Sequence, residues 1–145
     1  MFTHFSPKTA RRAGALPNLV VGRCQATIDN SATTNYNFGS HPATCYINRA
    51  VVSALTVPVC GSGTILATII KYDASANAAV TLTGDIDLEA LTAKEGTAVA
   101  LLSSLTEAQR TLDTGDTLGL VVVSTNTVGT ANVDLYCNIE VLVLN

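Results

Sequence analysis

The segment VDLYCNIEVLV, residues 133–143, decides the fold class, because apolar and polar side chains alternate along it. A period of two places one set of side chains against a core and the other toward water, as in a β-strand with one buried face. The apolar set is Val133, Leu135, Cys137, Ile139, Val141 and Val143, and the polar set is Asp134, Tyr136, Asn138 and Glu140. We therefore predict a long C-terminal strand.

Upstream of this strand, short apolar or β-branched stretches alternate with turn signals, which predicts further strands. These stretches are residues 19–28, 45–60, 64–72, 78–82 and 117–124. Residues 64–72 are apolar on both faces, which predicts a strand covered on both sides. Residues 29–44 are rich in Asn, Ser, Thr and Gly and predict a long loop or a weak hairpin.

One helix is predicted locally, because SLTE at residues 104–107 matches a capping box. Its apolar face would consist of Leu101, Leu105, Ala108 and Leu112. The helix should be short and end near Asp113. With seven or eight strands and one or two short helices, the predicted fold class is all-β, an antiparallel β-sandwich of jelly-roll type.

The domain organisation predicted is an extended N-terminal arm, residues 1–18, followed by one β-sandwich domain, residues 19–145. The arm contains Pro7 and Pro17, three basic residues and no acid. Its candidate protein-binding residues are Phe2, Phe5, Lys8, Arg11 and Arg12. Burial of the Phe side chains would favour docking of the arm on a protein. A disordered tail is the alternative interpretation. Three basic residues are too few to predict binding to nucleic acid.

Low charge content predicts self-association. Charged residues make up 13% of the 145 residues, against about 25% in an ordinary soluble protein. A surface so poor in charge is commonly covered by other subunits, and we predict a homotrimer. The net charge is −3 and is unevenly distributed: residues through Tyr72 carry +5 (six bases, one acid), and residues from Asp73 carry −8 (two bases, ten acids). Opposite charges at the two ends of the chain favour contacts between subunits, and solvated loops of opposite sign are the alternative.

The sequence does not predict a membrane span, a secreted glycoprotein or a cysteine-based metal or redox site. No apolar window is long enough to span a membrane, the N-terminus lacks the apolar region of a secretory signal, and no glycosylation sequon occurs. Synthesis in a cytoplasm is therefore expected. Cys24, Cys45, Cys60 and Cys137 lack metal-site and redox spacing, which predicts half-buried thiols in strands, or a disulfide formed after release from the cell.

Catalytic motifs are also missing, so we predict no enzyme, no cofactor and no metal. His4 and His41 are the only imidazoles, and no nucleophile-elbow sequence accompanies them. The tripeptide Gly61-Ser62-Gly63 predicts a turn, since a phosphate loop needs further glycines and a lysine. The acids at residues 85, 87 and 89 have the alternate spacing of a calcium loop, but the central glycine and the distal glutamate of such a loop are missing. These acids instead favour the solvated start of a helix.

Residues 87–124, DLEALTAKEGTAVALLSSLTEAQRTLDTGDTLGLVVVS, and residues 133–145, VDLYCNIEVLVLN, resemble the jelly-roll cement, or decoration, proteins of tailed double-stranded DNA bacteriophages. The shared features are the turn Gly115-Asp116-Thr117-Leu118 and the alternating last strand. The resemblance implies a trimer on the capsid exterior that clamps the major capsid protein lattice, without catalytic residues. A trimeric receptor- or sugar-binding knob of a fibre or tail is the alternative, ahead of an enzyme or an unrelated binding domain.

Overall fold

The computed structural model describes residues 17–28, 33–59, 61–125 and 131–144. Most of these residues lie in β-strands. The strands are β1 (Pro17–Ile28), β2 (Thr33–Gly39), β3 (Cys45–Thr56), β4 (Ile65–Asp73), β5 (Ala78–Thr81), β6 (Ile86–Asp87), β7 (Gly96–Val99), β8 (Thr111–Leu112), β9 (Thr117–Ser124) and β10 (Ala131–Val143). A single-turn helix, α1 (Glu107–Arg110), precedes β8.

The strands form two sheets in which every paired neighbour is antiparallel. The first sheet has the order β1-β10-β3-β7, with β8 paired to β3, and the second has the order β2-β9-β4-β5, with β6 paired to β4. If the two-residue strands β6 and β8 are set aside, the first of eight strands pairs with the last, the second with the seventh, the third with the sixth and the fourth with the fifth. This nested pairing is that of a jelly roll, and the predicted fold class is confirmed.

The core lies between the sheets and is built from alternate residues of each strand. In β10, Leu135, Cys137, Ile139 and Val141 are fully buried, which confirms the predicted alternation. The inward side chains of β4 and β9 face them from the second sheet and are Ile65, Ala67, Ile69, Leu118, Leu120 and Val122. The other face of β4 was predicted to be covered, yet it is only partly buried within one chain, with Tyr72 40% exposed.

Residues 29–44, predicted as a long loop or a weak hairpin, contain β2, a seven-residue strand that pairs with the distant β9. Its exposed positions are polar, while Tyr36 and Phe38 pack against the core. Because the partner strand lies about 80 to 90 residues further along the chain, the local sequence does not reveal the pairing.

β1 and β2 approach closely where the two sheets meet. A Cβ on Gly22 of β1 would lie 2.0 Å from the Phe38 ring of β2. Only glycine therefore leaves room for this ring at the edge of the core. β1 begins at Pro17, so its first two residues fall within the stretch that the sequence assigned to the arm.

The helix is shorter than predicted and begins later. The observed capping box joins Thr106 and Gln109: Oγ1 of Thr106 accepts from the Gln109 backbone N–H, and Oε1 of Gln109 accepts from the Thr106 N–H. The predicted box at residues 104–107 was wrong, because the N-cap is Thr106, two residues later. Pairing of β8 with β3 ends the helix after one turn. No helix of the described residues is long and apolar enough to cross a membrane.

A buried lysine holds one end of the sandwich together. Lys71 on β4 is only 2% exposed. Its Nζ donates to the backbone oxygens of Thr111 at 2.8 Å and Ala108 at 3.3 Å, and lies 3.3 Å from Oδ2 of Asp116. A buried ammonium needs such partners because its desolvation is costly.

Asp116 extends this network into two turns. Its Oδ1 accepts from the backbone N–H of Ala74, and its Oδ2 accepts from that of Asp113, both at 3.0 Å. The acid of the Gly115-Asp116-Thr117-Leu118 turn thus joins the turn between β4 and β5 to the turn between β8 and β9. The motif has a structural role in this fold.

We expect Asp116→Ala to reduce the free energy of unfolding by about 3–5 kcal/mol, because Lys71 would remain buried without its closest carboxylate. Asp134→Ala is the matched control, since it removes an ion pair with Arg23, whose side chain is 45% exposed, and should cost at most about 1 kcal/mol. Urea unfolding of both variants measures the difference. Equal losses would contradict the stabilising role of the buried network.

Candidate functional site

The outer face of the first sheet is charged. Arg23 on β1 forms an ion pair with Asp134 on β10 at 3.1 Å, and its guanidinium lies 5.3 Å from the centre of the Tyr136 ring. Arg49 on β3 pairs with Glu140 on β10, also at 3.1 Å. Ion pairs of this kind are typical of a solvated surface.

The outer face of the second sheet carries no charged side chain along its four main strands. It is formed by Thr33, Asn35 and Asn37 of β2, Thr117, Gly119, Val121 and Val123 of β9, Leu66, Thr68, Ile70 and Tyr72 of β4, and Ala79 and Thr81 of β5. We call these thirteen positions the uncharged face. Tyr72 and Val123 are the large apolar side chains most exposed on it, at 40% and 38%.

A groove of about 600 Å³ runs along the uncharged face. Ile70, Tyr72, Val121 and Gly119 are among the residues that line it. A Cβ on Gly119 would lie 2.5 Å from the backbone oxygen of Tyr36, so the close approach of β2 requires glycine here. The absence of a side chain at this point of the groove is therefore built into the pairing of β2 with β9.

Acidic residues border the uncharged face at β6. Asp87 pairs with Leu66 on the neighbouring strand, and Oδ1 of Asp85 accepts from Oγ1 of Thr68 at 3.3 Å. The predicted helix start at these acids was wrong, because the chain forms β6 and a turn in which Asp87 accepts from the backbone N–H of Glu89.

The basic residues of the described chain lie elsewhere. Arg23 and Arg49 are on the first sheet, and Lys71 is buried. The Arg110 guanidinium donates to backbone oxygens of β3, and the backbone N–H of Lys94 bonds to Ala54 of the same strand. The border at β6 is therefore negative.

One imidazole contacts a cysteine, which the sequence did not predict. Nδ1 of His41 lies 3.0 Å from Sγ of Cys45, and that thiol also donates to the backbone oxygen of Ala43. Cys45 is fully buried, and burial raises the pKa of its thiol. Since a nucleophilic cysteine requires a thiolate, this contact favours a packed thiol over a catalytic pair.

The predicted protein-binding residues all belong to the N-terminal segment. Phe2, Phe5, Lys8, Arg11 and Arg12 lie outside the described residues, as do His4 and Cys60. Among the described residues, no cluster of three or more His, Cys, Asp or Glu side chains could hold a metal ion. Sequence reasoning also missed the uncharged face, although the two-sided apolar pattern of residues 64–72 was a signal for it.

Comparison with known proteins yields only weak likenesses. No protein-family profile matches the chain, and no curated protein matches it. The chain is similar to a chain in a structure of infectious bursal disease virus, Gx strain, with a TM-score of 0.32 and 10% identity over 90% of this chain. For the Gt strain, the TM-score is 0.30 with 7% identity over 89% of this chain. The chain spans 41% of each viral chain.

The cysteines Cys24, Cys45 and Cys137 are free and fully buried, more deeply than the half-buried positions predicted. Burial raises the pKa of Cys24 to about 11 and that of Cys137 to about 12. At pH 8 we therefore expect iodoacetamide to leave all three unlabelled in the native protein and to label them in urea. Mass spectrometry of the digested protein measures this, and native labelling of any of the three within minutes would contradict their burial.

Proposed function

We propose that this protein is a structural virion protein that binds the outer surface of a bacteriophage capsid as a homotrimer and stabilises the major capsid protein lattice. The observation that carries the proposal is the uncharged face on one side of a jelly roll whose other side carries ion pairs. A face without charge is better suited to a partner protein than to water. The resemblance of residues 87–124 and 133–145 to phage cement proteins supports the phage context.

The mechanism proposed is mechanical. A protein that binds only the assembled lattice favours that state by mass action. Such a protein needs no catalytic group, cofactor or metal. Its partners would be further copies of itself and the major capsid protein, and its location would be the capsid exterior after synthesis in the host cytoplasm.

A second candidate function is favoured by the groove. Tyr72, which is 40% exposed, lines the groove together with Asn35 and Asn37, and a groove that combines an aromatic ring with hydrogen-bonding groups suits a sugar. The protein would then be a receptor- or sugar-binding knob of a fibre or tail. Tyr72→Ala separates the two functions, because it should abolish glycan binding in the second case.

We expect the purified chain to have a mass near three times 15.0 kDa in solution, because the uncharged face would be covered by neighbouring copies. Multi-angle light scattering across a concentration series measures the mass. A monomer at every concentration tested would contradict a preformed homotrimer.

We expect particles that lack the protein to release their DNA at a lower temperature than complete particles, because they lose the binding free energy of the clamp. A dye-release melting curve of both particle types measures this. Adding the purified protein back to the deficient particles is the control and should restore the higher temperature. Identical curves would favour the receptor-binding function.

A further inference from the structure

We infer that the groove on the uncharged face is the docking site for the N-terminal segment, residues 1–16, of a neighbouring copy of this chain. The inference rests on the self-association named in the proposed function, and it requires no capsid.

The apolar part of the groove suits the apolar part of that segment. Ile70, Tyr72 and Val121 line the groove. The segment contains two large aromatic residues, Phe2 and Phe5, followed by Pro7. In an extended polyproline-type conformation, residues three positions apart lie on the same side, about 9 Å from each other, so both rings could enter one groove.

The charges are complementary as well. Residues 1–16 carry Lys8, Arg11 and Arg12 and no acid, whereas the uncharged face is bordered by Asp85 and Asp87 at β6. Val121, which lines the groove, pairs with Thr68 on β4, and the Thr68 hydroxyl donates to Asp85, the residue before β6. Two strand spacings amount to about 10 Å. The seven residues from Phe5 to Arg12 can span up to about 25 Å, so the bases reach the acids while the rings occupy the groove.

The reach of the segment allows the groove to belong to another copy. The segment joins β1 at Pro17, which pairs with Leu142 on the first sheet, whereas the groove lies on the opposite side of the sandwich. Sixteen extended residues span up to about 55 Å, which is enough to cross a subunit boundary. Each copy has one such segment and one groove, so a ring of three copies fills every groove once.

Photo-crosslinking tests the contact directly. Full-length protein with benzoylphenylalanine in place of Phe5 is mixed with ¹⁵N-labelled copies, irradiated and digested. We expect cross-links from position 5 to residues 70–72 or 117–121, in pairs that combine the two isotopes. Cross-links confined to single chains, or directed to the outer face of the first sheet, would overturn the inference.

A matched pair of variants tests the energetic role of the groove. Val121→Arg places a positive charge in the groove wall, and Val51→Arg places the same charge at a half-buried position on the outer face of the first sheet. We expect Val121→Arg to weaken self-association about tenfold or more by repelling the basic segment, and Val51→Arg to leave it unchanged. Equal dissociation constants in sedimentation experiments would overturn the inference.

The double variant Phe2→Ser/Phe5→Ser changes only the segment and keeps the test valid if Val121→Arg fails to fold. It should weaken self-association as much as Val121→Arg does, with no further loss when the two are combined. Unchanged self-association of the double variant would show that another surface covers the groove and would overturn the inference. Mixed-isotope cross-links without any effect on particle melting would instead support the inference and contradict the capsid function.

Discussion

The structure depends on the position of β10 between β1 and β3. Its inward residues supply the centre of the core, and both of its edges are hydrogen-bonded. Its outward acids pair with one arginine from each neighbour: Asp134 with Arg23, 111 positions earlier, and Glu140 with Arg49, 91 positions earlier. The C-terminal strand therefore organises the core and also gives the outer face of the first sheet its charge.

The second sheet depends on a different interaction. The buried Lys71–Asp116 pair ties the end of β4 to the β4–β5 turn and to the β8–β9 turn. The ladder between β4 and β9 runs from that end. The turn that contributes to the resemblance to phage cement proteins is thus explained by its structural role. A turn with this structural role is compatible with many functions on the same fold. The proposed function therefore depends on the uncharged face and not on this turn.

The two outer faces explain how a chain with 13% charged residues distributes them. The first sheet presents ion pairs, and the second presents Thr, Asn and apolar side chains with acids along one edge. A protein that worked alone in water would gain from charge on both faces. The ion pairs of Arg23 and Arg49 lie on the first sheet, and the four main strands of the second sheet present an outer face without charge, as the proposed docking of a protein partner requires.

The sequence by itself determined the β-sandwich class and the strands at residues 64–72, 117–124 and 133–143, because a period of two reports which side of a strand is buried. It did not determine β2, the end of α1 or the structure around Asp85. In each case pairing with a distant strand overrode local preference. The uncharged face and its groove also required the tertiary structure: residues of β2, β4, β5 and β9 form one surface only because the jelly-roll pairing makes those strands neighbours, and periodicity along one segment carries no information about which segment will lie beside it.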